Sequence, residues 1–385
     1  MRKKNWLIIL MSLFLMNCSN LPESGEVFVY TNNIVDSDSI VHLAPPMRKG
    51  ALNFDSIVDV VKFLPLSTSD TVLISSINSI KSLDRVLYIA DYERGRIFAF
   101  DCYGKYIGKI DARGDGPEQY KRICGFDIDY KRKMLYILDG DLGKVHVYDS
   151  CLRLQDIIKL PYRFADHIAL YGEDKLFIEL GFREYDQKSK TSPNLILYNL
   201  RNKTVESFFF YFESGKIRYR NQEPITFSNN GSELFYWTTL GNIIYSCNDS
   251  ILKRSIAFDL GIYATPSNIY FEKNSKASSL MREKRYAYVD RFYEFKDWYY
   301  ARIARMNSSA HYFFNKKKQK GFLDISFLRI STGGKVIMPD LFQISDKVFC
   351  SYISPEQYMI LLSDDSLKNV DIEDNYILMF YKLKE

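Results

Sequence analysis

The chain has 385 residues, with 52 Lys and Arg against 47 Asp and Glu, and 46% of it is apolar. That length buries a sizeable core without disulfide support, and a net charge of +5 lacks the strong basic excess that marks a nucleic-acid partner. Tyr (29) and Phe (27) far outnumber Trp (3), which favours the pleated, half-buried surfaces of strands.

In chain order, Arg2, Lys3 and Lys4 form a basic start, and Trp6–Met16 is an apolar run too short to span a bilayer. Residues 1–17 therefore read as an export signal, whose removal lowers the net charge from +5 to +2. The run Leu15-Met16-Asn17-Cys18 resembles a bacterial lipobox, which implies that Cys18 becomes the lipidated first residue. An ordinary secretory signal with an incidental Cys is the alternative. Cys18-Ser19-Asn20 has no Asp directly after the Cys, which favours outer-membrane sorting. Residues 18–37 suit a lipid-anchored tether, and residues 38–385 are assigned to one folded unit.

Short strands are expected at Ser39–Leu43 and Ile57–Leu66, separated by Pro45-Pro46. From Val72 the chain divides into four-stranded units. The first takes Val72–Ile80, Val86–Ala90, Ile97–Phe100 and Tyr106–Ile110, and the second takes Cys124–Ile128, Met134–Leu138, Val145–Tyr148 and Gln155–Leu160. Arg85–Asp101 (RVLYIADYERGRIFAFD) returns 48 residues later as Lys133–Asp149 (KMLYILDGDLGKVHVYD). Two further units run from Ile168 to Phe212 and from Ile225 to Leu260. A helix is expected over Lys276–Asp290, followed by a fifth unit with strands at Phe292–Ala301, Ala304–Met306 and His311–Asn315. A sixth draws on Gly334–Met338, Lys347–Ile353 and Tyr376–Leu383, with a helix starting at Ser354-Pro355-Glu356. Four strands per repeat of this length select an all-β, six-bladed β-propeller. Short helical insertions lie near blades 5 and 6, and Ile57–Leu66 closes the ring with the C-terminal strand.

The residues Gly114-Asp-Gly-Pro-Glu-Gln-Tyr120, Gly125-Phe-Asp-Ile-Asp129, LYILD and KVHVYD resemble the NHL-type repeat. Together with Val61–Thr68 and the terminal YILMFYKLK, they make the chain similar to six-bladed β-propeller lipoproteins common in gut anaerobes. The resemblance implies fold and lipid anchoring, and brings no defined chemistry.

In such a ring, turns joining strands one to two and three to four lie on one face, and these are brief. Loops joining strands two to three and successive blades lie on the other, and these are longer. Binding residues concentrate on long loops, so the long-loop face is the expected working face. Its candidates are Arg94, Arg96, Arg113, Asp115, Asp141, Lys144, Arg183, Tyr185, Arg218, Tyr219 and Arg220. Arg forks suit carboxylates, phosphates or sugar hydroxyls, and Tyr offers a flat surface with a polar tip; the alternative is solvated loop side chains. Asp91 and Asp139, fixed by the repeat, are expected to hold turns rather than a metal.

No cofactor or metal site is expected. His42, His146, His167 and His311 are scattered without zinc spacing, and no GxSxG elbow appears. His146 is expected in the core or between blades. The remaining cysteines (Cys102, Cys124, Cys151, Cys247 and Cys350) are odd in number and far apart, so free thiols are expected. The leading expectation is a membrane-anchored module that binds a protein, glycan or peptide. The alternatives are a carboxylate-based sugar- or peptide-processing hydrolase or lyase, and a structural subunit of an envelope assembly.

Overall fold

The computed structural model describes residues 33–46, 57–184, 189–219, 226–229, 233–248, 250–306, 308–324, 327–329, 335–337, 340–361 and 371–384. Six blades of four antiparallel strands form a ring, each blade running outward from its first strand. Blade 1 contains Ser79–Leu83, Val86–Asp91, Arg96–Asp101 and Tyr106–Ile110; blade 2 contains Ile123–Asp129, Met134–Asp139, Lys144–Asp149 and Leu154–Lys159. Blade 3 spans His167–Tyr171 to Thr204–Glu213, and blade 4 spans Phe227–Asn229 to Ile251–Phe258. Blade 5 contains Tyr288–Glu294, Trp298–Arg305, Ser308–Asn315 and Lys320–Asp324. Blade 6 combines Phe342–Gln343, Val348–Ile353 and Ile377–Leu383 with the N-terminal Val58–Pro65, so both ends of the chain close the ring.

The strands are apolar runs because neighbouring blades cover both of their faces. Leu135, Ile137, Leu138 and Val145 of blade 2, for example, are fully buried. Acidic residues at the strand ends fold back on the turns that follow. Asp101 Oδ1 accepts the N–H groups of Tyr103 and Lys105 at 2.8 and 2.9 Å, and Asp149 Oδ1 accepts those of Cys151 and Arg153 at 2.9 Å each. The expected turn role of the other two repeat acids also holds. Asp91 accepts from Ser75 N, Ser75 Oγ, Ser76 Oγ and Arg94 N, and Asp139 accepts from Lys121 N and Leu142 N. Both are fully buried.

Several boundaries differ from the sequence expectation. Residues 72–78 are a loop, held by Asn375, whose Oδ1 accepts from Ile74 N at 2.9 Å; blade 1 starts at Ser79. The run Phe292–Ala301, expected as one strand, belongs to two, and the reversal was masked because its apolar residues are hidden: Phe295 and Trp298 are both buried, and Phe295 N donates to Trp298 O. The helix is Asn274–Glu283; Arg285 takes φ 55°, and Tyr288 begins blade 5. Lys335–Ile337 belongs to a separate hairpin with Phe327–Arg329, and Phe342–Gln343 is the inner strand of blade 6. At Pro355–Leu361 the expected N-cap is in place: Gln357 N donates to Ser354 Oγ, and Ser354 N donates to Gln357 Oε1.

One strand was not foreseen in this form. Ile34–Leu43 starts five residues before the expected Ser39 and lies parallel to the outer strand of blade 4, giving that blade a fifth strand. Among the described residues no helix is long and apolar enough to cross a membrane.

Candidate functional site

The antiparallel order places the 2–3 loops and blade-to-blade links on one face, as expected, and the candidates follow it. Arg94, Arg113, Asp115 and Arg218 are exposed. Arg96 is tied to Asp111 at 2.9 Å, and Asp115 pairs with Lys121. Lys144 is half-buried at the start of its strand. Tyr219 is turned into the core beside Tyr270, so it offers no free surface. Cys18, Tyr185 and Arg220 lie outside the described residues.

The links around blades 2 and 3 bring some of these candidates together. Arg122, just before blade 2, pairs with Asp141 of the blade 2 loop at 3.0 Å. Arg163 Nε donates to Asp141 O at 3.2 Å, and Arg183 of the blade 3 loop pairs with Asp166 at 3.2 Å. Between them stands Phe164, 43% exposed and in left-handed backbone at φ 61°, an uncommon state for a bulky residue. The Arg163 and Arg183 guanidinium carbons lie 5.2 and 5.5 Å from its ring centre. Arg183 Nε is buried and has no hydrogen-bond partner among the described residues. The cluster thus has three cations, two carboxylates and one exposed ring. Beneath it, burial pushes the Cys124 thiol up to about 12, so this sulfur stays protonated and is no nucleophile. Gly181, at φ 61°, leaves room for the Asp166 carboxylate where any Cβ would collide with it.

Sequence reasoning placed Asp141 and Arg183 here but missed Arg122, Arg163, Phe164 and Asp166. The signal was present in Arg163-Phe164, a cation and an aromatic in a link otherwise suited to a tight turn.

The axis of the ring holds a second feature. A cavity of about 90 Å³ is lined by residues from the inner strands of all six blades. Inside it, Lys81 Nζ meets Asp127 Oδ1 at 2.8 Å. The two occupy equivalent positions of neighbouring blades, opposite Tyr88 and Tyr136. Asp127 Oδ2 also accepts from Leu170 N at 2.8 Å, so one carboxylate ties three blades together. Burial, the largest single influence, works against the Lys81 charge, but the Asp127 carboxylate and hydrogen bond together with Tyr130 and Tyr293 hold the ammonium above its ordinary value. Such a lysine remains protonated and cannot act as a base or amine nucleophile. A carboxylate-pair reaction needs a second acid, and Asp127 is the one acidic residue among the described lining residues. Among the described residues, no three His, Cys, Asp or Glu groups are placed to hold a metal. Sequence reasoning singled out neither residue, because they lie 46 positions apart on separate inner strands.

A broader cavity of about 630 Å³ opens on the short-turn face between blades 3 and 4. Its Asp174 is held below its ordinary value, first by the hydrogen bond from Arg132, and Arg201 also pairs with it.

Comparison with solved structures places the fold. A Bacteroides fragilis protein provisionally named as exported superposes with a TM-score of 0.72 at 17% identity, covering 90% of this chain and all of that one. A Bacteroides vulgatus member of the DUF4221 family gives 0.53 at 10% identity, covering 85% of this chain and 98% of that one. These identities speak for the fold alone. A search of curated proteins finds no match. The model of a domain of unknown function, DUF4934, matches residues 38–382, and the chain belongs to that family.

Proposed function

We propose that the protein is a binding module of the cell envelope, held to the outer membrane by lipid on Cys18, with its long-loop face as the working side. The observation that carries this reading is the Phe164 platform between the Arg163 and Arg183 guanidiniums, with Arg183 Nε left unpartnered. A flat ring flanked by planar cations suits a ligand that pairs an apolar or sugar face with carboxylates, such as an acidic oligosaccharide or peptide. The propeller fold supports a binding role, and the provisional name of the Bacteroides fragilis protein of the same fold supports export.

The test is a thermal-shift screen of the mature chain against acidic oligosaccharides and peptides. A ligand of this site raises the melting temperature with concentration, and that rise disappears in the Arg163→Ala/Arg183→Ala variant. A ligand whose shift survives both substitutions places the binding site elsewhere.

A further inference from the structure

The parallel strand Ile34–Leu43 fixes the side from which the preceding chain departs. Ile34 pairs with Leu252 and Leu43 with Phe258. The outer strand of blade 4 begins at a short turn and ends towards the link to blade 5, so Ile34 lies at the short-turn face. Asn33 O there accepts from Leu252 N at 2.8 Å. Sixteen residue steps separate Cys18 from Ile34, a reach of at most about 55 Å.

The same face is the basic one. In the short turns between the strands of each blade, Lys131-Arg132-Lys133 and Lys316-Lys317-Lys318 form two cationic runs. Five of these six cations are paired, with Glu173, Asp174, Asp84, Glu294 and Asp297, which leaves Lys318. Arg85, Lys105, Arg153, Lys203 and Lys318, however, have no carboxylate at ion-pair distance among the described residues. Two aromatic side chains stand out between these cations: Tyr103 is 74% exposed, with Lys62 Nζ 5.7 Å from its ring centre, and Tyr130 is 55% exposed. The long-loop links carry Lys and Arg in near balance with Asp and Glu. Cations with amphipathic rings, on the side from which the tether leaves, match a layer of anionic headgroups.

We infer that the short-turn face docks on the anionic phospholipid surface of the membrane, turning the Phe164 platform outward. This rests on the lipid-anchor reading for orientation in the cell, but the surface chemistry is testable without the anchor.

The mature chain from residue 18, carrying Cys18→Ser so that no acyl chain is attached, is mixed with vesicles of phosphatidylcholine containing about one-third phosphatidylglycerol, or of phosphatidylcholine alone. Co-sedimentation is expected with the anionic vesicles only, and it falls steeply with salt because the contact is ionic. Arg153→Glu/Lys318→Glu weakens it at least tenfold, whereas Arg282→Glu/Lys284→Glu on the opposite face leaves it unchanged. A fluorophore on the exposed Cys151 of the short-turn face is quenched by brominated lipid in the same vesicles. Absence of binding, equal binding to neutral vesicles, or equal loss in both double variants overturns the inference. The mass of the N-terminal peptide from cells tests lipidation of Cys18 separately, so either idea fails without the other.

Discussion

Glu179 is a fully buried carboxyl at the long-loop end of a blade 3 strand, and replacing it with Gln isolates its pH dependence. Thr226 Oγ1, Asn194 Nδ2 and Tyr236 OH all donate to it, yet burial outweighs them and raises it to about 8 from its ordinary 4.5. The folded state therefore keeps a proton that the unfolded chain releases. Glu179's contribution to stability is complete below pH 4.5 and is lost as pH rises to about 8. Integrated over pH 5 to 7, that loss is about 2–3 kcal/mol, at 1.36 kcal/mol per unit. Gln keeps an acceptor for Asn194 and Tyr236 and offers an amide to Thr226 Oγ1, but it does not titrate. Urea denaturation at pH 5, 6 and 7 should show the wild type losing about that much more than Glu179→Gln. Parallel curves for the two proteins, or a variant that loses more with rising pH, would refute the assignment of a protonated carboxyl.

Three other perturbations follow from the same geometry. Asp91→Ala strips four donors of their acceptor and should cost about 3 kcal/mol in urea unfolding, against about 1 kcal/mol for Asp101→Ala on its half-exposed turn. His146 is buried edge-on to Tyr120, 5.7 Å between ring centres, with both ring nitrogens unpartnered, and the repeat places Phe98 at the equivalent position of blade 1. His146→Phe should stabilise by about 1 kcal/mol. Burial lowers the His146 pKa below its ordinary 6.5, so its contribution is present above that value and lost on acidification; the variant should melt with a shallower acid limb. Lys81→Met leaves Asp127 without its ion pair and should cost about 2–3 kcal/mol, discounted from the buried-pair range because Lys81 is 28% exposed. Lys81→Met/Asp127→Asn should recover part of that loss in the same denaturation assay.

Blades 1 and 2 were readable from sequence because the alternation of apolar strand and Asp-held turn is written twice with little change. The ring closure by Val58–Pro65 was readable too, since the last blade lacked a strand and an apolar run waited upstream. Blade 5 was misphased for a physical reason: Phe295 and Trp298 are buried within its turn, so hydrophobicity does not fall where the chain reverses. Residues 72–78 looked like a strand because Val72, Ile74 and Ile77 are buried, although a side chain from the far end of the chain, Asn375, holds them in place. The working face was inferred from loop length, and length says nothing about which side chains converge. Arg96 is neutralised by Asp111 and Tyr219 belongs to the core, whereas Phe164 acquires its meaning only from Arg183, which arrives from another loop. Lys81 and Asp127 were hidden for the same reason, since only the closed ring brings two neighbouring inner strands together.

The most direct test of the central claim is hydrogen exchange of the mature chain, with and without a ligand drawn from the acidic oligosaccharide and peptide screen. Binding on the long-loop face predicts slowed exchange in peptides covering 160–184 and 111–122, with none in the short turns 129–133 and 149–153. Protection of those short turns instead, with 160–184 unchanged, would contradict it.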